Sequence, residues 1–105
     1  MPTYVLMTKL APEVMTDPRG RRVVGKAWKK QVDTLCPEVR WVAHYSLLGP
    51  YDFMDIYEAP DDTMAQKVSL ISRSHGALTA ESWPALPYDR FLPIAAEVEA
   101  GAEVG

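Results

Sequence analysis

The segment from Leu47 to Asp62 constrains the fold of this chain more than any other, because it holds a strand end, a tight turn, a second strand and a helix start without a break. Gly49-Pro50-Tyr51-Asp52 lies between two runs rich in aliphatic and aromatic residues, one over residues 39 to 48 and one over residues 53 to 58. Gly and Pro together mark a chain reversal, so the two runs are expected to pair as a hairpin. Ala59-Pro60-Asp61-Asp62 then stops the second run and supplies carboxylates suited to cap a helix.

A chain of 105 residues fits one domain, near the size at which a single core suffices without metal or disulfide support. The lone Cys36 has no intrachain partner, and no charged segment followed by a long apolar run suggests a signal peptide or a membrane span. A cytoplasmic location and no membrane partner are therefore expected. Net charge is −3, with basic residues gathered between Arg19 and Lys30. A run of this kind reads as the solvated face of a helix, so no nucleic-acid partner is expected.

The pattern on either side of the hairpin completes an alternating order. Residues 4 to 10, Tyr4-Val5-Leu6-Met7-Thr8-Lys9-Leu10, are almost continuously apolar, as in a strand buried on both faces. Asp17-Pro18 starts a helix in which Val24, Trp28, Gln31 and Leu35 recur at helical spacing, and Cys36-Pro37 ends it. After the hairpin, Met64, Val68 and Ile71 form a second helical stripe that stops at His75-Gly76, where glycine suits a left-handed cap. Residues 78 to 83 follow as a fourth strand. The order β-α-β-β-α-β predicts an α+β, ferredoxin-like domain, a four-stranded antiparallel sheet with two helices on one face.

Two helices leave the second face of such a sheet uncovered. Strict alternation sends Val5, Met7, Ala43, Tyr45, Leu47, Met54, Ile56, Leu78 and Ala80 toward the helices and leaves Tyr4, Leu6, Thr8, Val42, His44, Ser46, Phe53, Asp55, Tyr57, Thr79, Glu81 and Trp83 on the open face. That second set is too apolar and aromatic for a solvated surface. The pattern therefore predicts a homo-oligomer, a dimer or higher, in which two sheets meet.

The same set carries the candidate chemistry. His44, Asp55 and Tyr57 fall on neighbouring strands, where a carboxylate can orient an imidazole for proton transfer. If the protein is an enzyme, these are its catalytic residues. Tyr4, His44, Asp55, Tyr57 and Trp83 are the candidate ligand-binding residues, lining a cavity for a small apolar or aromatic molecule. His44 and His75 have no Cys or Glu at ligand spacing, so no metal is expected, and no cofactor. Gly20-Arg21-Arg22-Val23-Val24-Gly25-Lys26-Ala27 resembles a phosphate-binding loop, but Ala27 stands where Ser or Thr would bind magnesium. Its glycines also fall within the first helix. Cys36 reads as a structural thiol.

Beyond the fourth strand, Pro84, Pro87 and Pro93 are expected to break regular structure, yet Leu86, Tyr88, Phe91, Leu92 and Ile94 are too apolar to float free. A docking segment is expected from about residue 86. The domain then spans residues 1 to 98, with a frayed acidic tail at 99 to 105.

With these residues in hand, the sequence resembles the GYD family, named for a Gly-x-Tyr-Asp signature between the second and third strands, here Gly49-Pro50-Tyr51-Asp52. The resemblance runs through Tyr4-Val5-Leu6, Tyr45-Ser46-Leu47-Leu48, Glu58-Ala59-Pro60-Asp61-Asp62, Gly76 and Thr79, covering about residues 2 to 86. It implies a ferredoxin-like domain related in architecture to dimeric α+β barrels, and no established reaction. Glu81-Ser82-Trp83-Pro84 and Gly25 depart from the family pattern. Chemically, the signature reads as a hairpin lock. The expected function is a homo-oligomeric small-molecule-binding or accessory protein with its cavity on the uncovered sheet face. One alternative is a cofactor-independent enzyme, such as a small monooxygenase, cyclase or decarboxylase, acting on an aromatic or polyketide-like substrate. The other is a purely structural assembly module.

Overall fold

The computed structural model describes residues 1 to 104. Its elements are β1 (Thr3–Leu10), α1 (Pro12–Thr16), α2 (Pro18–Leu35), β2 (Arg40–Ser46), β3 (Phe53–Glu58), α3 (Asp62–Ser74), β4 (Ala77–Ala85) and α4 (Tyr88–Val104). All strand pairs are antiparallel, in the order β2-β3-β1-β4. This is the ferredoxin-like arrangement, and the near-continuous apolar run of β1 fits its place between two neighbours.

Local chemistry sets the element ends. Asp17 caps α2, accepting from the Arg19 amide at 3.0 Å, and Pro18 occupies the first turn. Asp61 caps α3 in the same way, accepting from the Met64 amide at 3.0 Å. Gly76 follows α3 at φ 87°, and a Cβ there would lie 2.9 Å from Val14 Cγ2. Both observations demand glycine. Gly49, by contrast, has open space where a Cβ would go and no positive φ, so the hairpin does not depend on its conformational freedom.

The two faces of the sheet are reversed from the sequence expectation for the central strands. Tyr4, Leu6 and Tyr57 lie in the buried core with Val32 and Cys36 of the α2 end and Val68 and Ile71 of α3. Their alternating neighbours Val5, Met7, Met54 and Ile56 therefore form the open face. Alternation sorts residues into two sets but does not say which set receives the helices. Aromatic bulk decides it here: Tyr4 stacks on Tyr57 at 5.4 Å, Trp41 tilts against Tyr57 at 5.1 Å, and Trp28 of α2 meets Trp41 at 5.2 Å. Trp28 Nε1 also donates to Ser72 Oγ at 2.8 Å, tying α2 to α3. Ala80 belongs to the covered face as expected, and Thr79, Glu81 and Trp83 to the open one.

A register shift between Trp41 and Ala43 explains a second departure. Trp41 pairs with Tyr57 and His44 pairs with Asp55, so the odd and even positions of β2 exchange faces across the irregularity. Trp41 and His44 consequently share the covered face.

The C-terminal expectation also changes. Pro84 is accommodated in β4, an edge strand where a missing amide is tolerated, and Pro93 lies inside α4. Helix continues through Val104, so the segment expected to fray at 99 is regular; Gly105 lies outside the described residues. Tyr88, Phe91, Leu92, Ile94 and Val98 of α4 are exposed in the single chain.

Candidate functional site

Where β2 and β3 pair at His44 and Asp55, an imidazole and a carboxylate meet on the covered face. His44 Nδ1 donates to Asp55 Oδ1 at 2.6 Å. Asp55 is 6% exposed, and burial pushes its carboxyl above the usual range while the nearby His44 pulls it down. The His44 ring, largely exposed, stacks on Phe53 at 5.4 Å. Bonding through Nδ1 leaves Nε2 as the nitrogen offered to a ligand.

The pair borders a hollow of about 270 Å³ between the sheet and α2. Leu10, Val14, Val24, Trp28 and Phe53 give it an apolar wall, and Arg21, His75 and Thr8 add polar groups. His75 donates through Nε2 to Gln31 Oε1, which fixes its ring beside α2. Arg21 Nε is shut off from solvent and has no hydrogen-bond partner. The hollow thus combines an apolar body with a few fixed polar contacts, the composition of small-molecule sites.

Not every expected residue reaches it. Tyr57 is fully buried, and its hydroxyl donates to Ser82 Oγ at 2.7 Å, with Ser69 Oγ a further 2.8 Å from Ser82. Burial pushes its phenol up to about 12, which keeps it neutral. Tyr57 does not line the His44 hollow. Tyr4 donates to Asp62 Oδ1 at 2.6 Å, and that hydrogen bond, with burial, raises its phenol to about 12. Tyr4 and Trp83 line a separate, more polar groove of about 460 Å³ with Asp62, Ser69 and Ser82. The five candidate ligand residues therefore fall into three places, and the hollow at His44 and Asp55 is on the helix side, not the open face expected for the cavity.

Arg21 and His75 are the polar hollow residues that sequence reasoning missed. Arg21 belongs to the stretch that resembles a phosphate loop, but only the docking of α2 on the sheet brings it to the hollow that His44 also lines. Cys36 is buried, and burial raises its thiol, which suits a structural role.

Gly49-Pro50-Tyr51-Asp52 lies outside this hollow and locks the hairpin to β1. Asp52 Oδ2 accepts from the Leu10 amide at 2.7 Å, and the Asp52 amide donates to Thr8 O at 2.8 Å. The carboxylate thus serves a strand 42 positions away in sequence rather than the turn's own amides. Tyr51 donates to Glu81 Oε2 at 3.0 Å and meets Trp83 edge-on at 6.1 Å, on the open face.

Comparison with known proteins agrees with this architecture. The GYD domain family model matches residues 4–95. A protein of Thermus thermophilus named glutamine synthetase and cystathionine beta-lyase binding protein is 29% identical over 91 residues, 83% of this chain and 90% of its own length. In structure, TTHA0845, also from Thermus thermophilus, aligns at a TM-score of 0.54 with 20% identity, over 83% of this chain and 95% of its own. A hypothetical protein, PHS023, from Pyrococcus horikoshii aligns at 0.51 with 18% identity, over 83% and 92%. At these identities the two structures establish the shared fold. Among the described residues no helix is long and apolar enough to cross a membrane.

Proposed function

The chain belongs to the GYD domain family, and from that premise we propose that it is a homo-oligomeric accessory protein that binds a small molecule beside His44 and Asp55. The observation that carries this reading is the half-open apolar hollow of about 270 Å³ with an oriented imidazole at its edge. The relative named as a binding protein of two metabolic enzymes supports an accessory role, in which ligand occupancy would be communicated to a protein partner. Self-association is supported by the open face, where Tyr45 and Trp83 are 52% and 43% exposed beside Val5, Met7, Met54 and Ile56. The exposed apolar residues of α4 add to it, since an isolated 17-residue helix is marginal in water without a packing surface.

Metabolite screening by thermal shift tests the reading. A compound class should stabilise the parent protein and fail to stabilise His44→Ala, while the mass of the assembly in light scattering stays the same. Stabilisation that ignores His44 would move the ligand elsewhere.

A catalytic reading is favoured by one observation: Asp55 holds Nδ1 of His44, so Nε2 is poised as a general base. It keeps His44 and Asp55 but loses Tyr57 as an oxyanion donor, because the Tyr57 hydroxyl is committed to Ser82. A cofactor-independent reaction on an aromatic substrate would then depend on both remaining residues. Turnover that survives His44→Ala and Asp55→Ala would sink it.

A further inference from the structure

Resting on the small-molecule reading of this hollow, we propose that its ligand is a small monocarboxylic acid with an apolar body, and that Arg21 holds the carboxylate. Arg21 sits in the first turns of α2 and contributes to the wall of the hollow. Its Nε is removed from solvent and donates to nothing. A guanidinium keeps its charge at every ordinary pH, so this buried donor cannot lower its cost by losing a proton. A cation that cannot be neutralised calls for a counter-charge, and since Nε is itself closed to a group even of water size, a carboxylate in the hollow would accept from the terminal guanidinium nitrogens, which form no ion pair among the described residues.

Several neighbouring polar groups are already engaged. Asp55 is paired with His44, His75 with Gln31, and Trp28 Nε1 with Ser72. Among the described residues, Arg21 lines the hollow without an ion pair. One spare cation beside the buried Asp55 carboxylate suits a single negative charge better than the two of a phosphate monoester, which Asp55 would repel. The volume lies just below the ~300 Å³ at which pockets for drug-sized ligands begin, so the acid must be small. Leu10, Val14, Val24 and Phe53 leave an apolar wall for the rest of the molecule. His44 Nε2 is available at the edge for a second polar contact.

Titration calorimetry on the full chain tests this with matched pairs: phenylacetate against phenylacetamide, and isovalerate against isovaleramide, with inorganic phosphate as a third arm. The acids should bind at least tenfold more tightly than their amides. Arg21→Met should remove the preference for acid over amide, while an unchanged urea-denaturation midpoint reports that the fold around the hollow is intact. Equal binding of acid and amide, or acid binding that ignores Arg21→Met, overturns the proposal while leaving a small-molecule site in place. Phosphate binding more tightly than the acids overturns the carboxylate class. Failure of every acid to bind overturns it too, and the broader reading then falls only if native mass spectrometry of protein from its source finds no bound molecule.

Discussion

On the covered side of the sheet, Tyr4, Trp41 and Tyr57 interlock beneath α2 and α3, and a hollow opens near His44. On the other side, Val5, Met7, Met54 and Ile56 lie in a row on the face turned away from α2 and α3. Both surfaces are apolar, but they differ in what they contain. The covered face carries a buried carboxylate with its imidazole and a guanidinium nitrogen unpaired among the described residues, groups that are costly to bury without partners. The open face carries apolar side chains with a hydroxyl, indole and carboxylate network of Tyr51, Trp83 and Glu81 at one side, a composition suited to a protein surface. The proposed ligand site and the proposed assembly surface thereby lie on opposite faces of one sheet.

The contrast can be broken most forcefully in the core. Tyr57→Ala should cost about 3–5 kcal/mol by removing the ring that Tyr4 and Trp41 pack against, measured by urea denaturation. A loss under about 1 kcal/mol would mean that the aromatic cluster does not anchor the covered face. Asp52→Ala should cost about 1–3 kcal/mol, because the Leu10 amide loses its partner. That variant separates the signature's role in stability from ligand binding, which should survive in the fraction that folds.

Glycines sharpen the comparison within the fold. Gly76→Ala should destabilise by about 1–2 kcal/mol, through its positive φ and the close approach of Val14, whereas Gly49→Ala should stay within about 0.5 kcal/mol. Equal effects would contradict the assignment of backbone strain to Gly76 alone.

Asp55 gives the covered face a pH signature. Its folded carboxyl is raised by burial, so the folded state holds the proton more tightly than the unfolded chain. Asp55 therefore favours folding fully below its unfolded value of about 3.9, and this contribution is lost as pH rises through the raised folded value. Melting temperatures of Asp55→Asn should rise relative to the parent as pH climbs from below about 3.9 through that raised folded value. A difference that stays flat would show that Asp55 is not desolvated as described. The smallest effect on stability, within about 0.5 kcal/mol at fixed assembly, is expected for Tyr45→Glu on the open face. Its effect should appear instead as a lower mass in light scattering; an unchanged mass would remove Tyr45 from the contact surface.

Much of this architecture was legible because local signals agree with one another. Gly49-Pro50 between two β-rich runs, Asp17-Pro18 at the start of α2 and Gly76 after α3 each specify a boundary through a distinct backbone preference. The pairing of His44 with Asp55 follows from the same hairpin. Face assignment was not legible, because a period of two is symmetric between the faces and the irregularity after Trp41 exchanges them midway along β2. Arg21 escaped for another reason: its access to the hollow depends on how α2 lies across the sheet, which helical spacing alone does not fix. The helix over 88 to 104 was hidden by Pro93, whose missing amide removes one helical hydrogen bond without ending the helix here.

Native mass spectrometry of the protein purified from its source cells, run beside His44→Ala prepared in the same cells, tests the division of labour between the two faces most directly. The account predicts an oligomer of this chain carrying a small bound molecule, and the same oligomer without that molecule in His44→Ala. A bare monomer, or a bound molecule retained when His44 is gone, would contradict it.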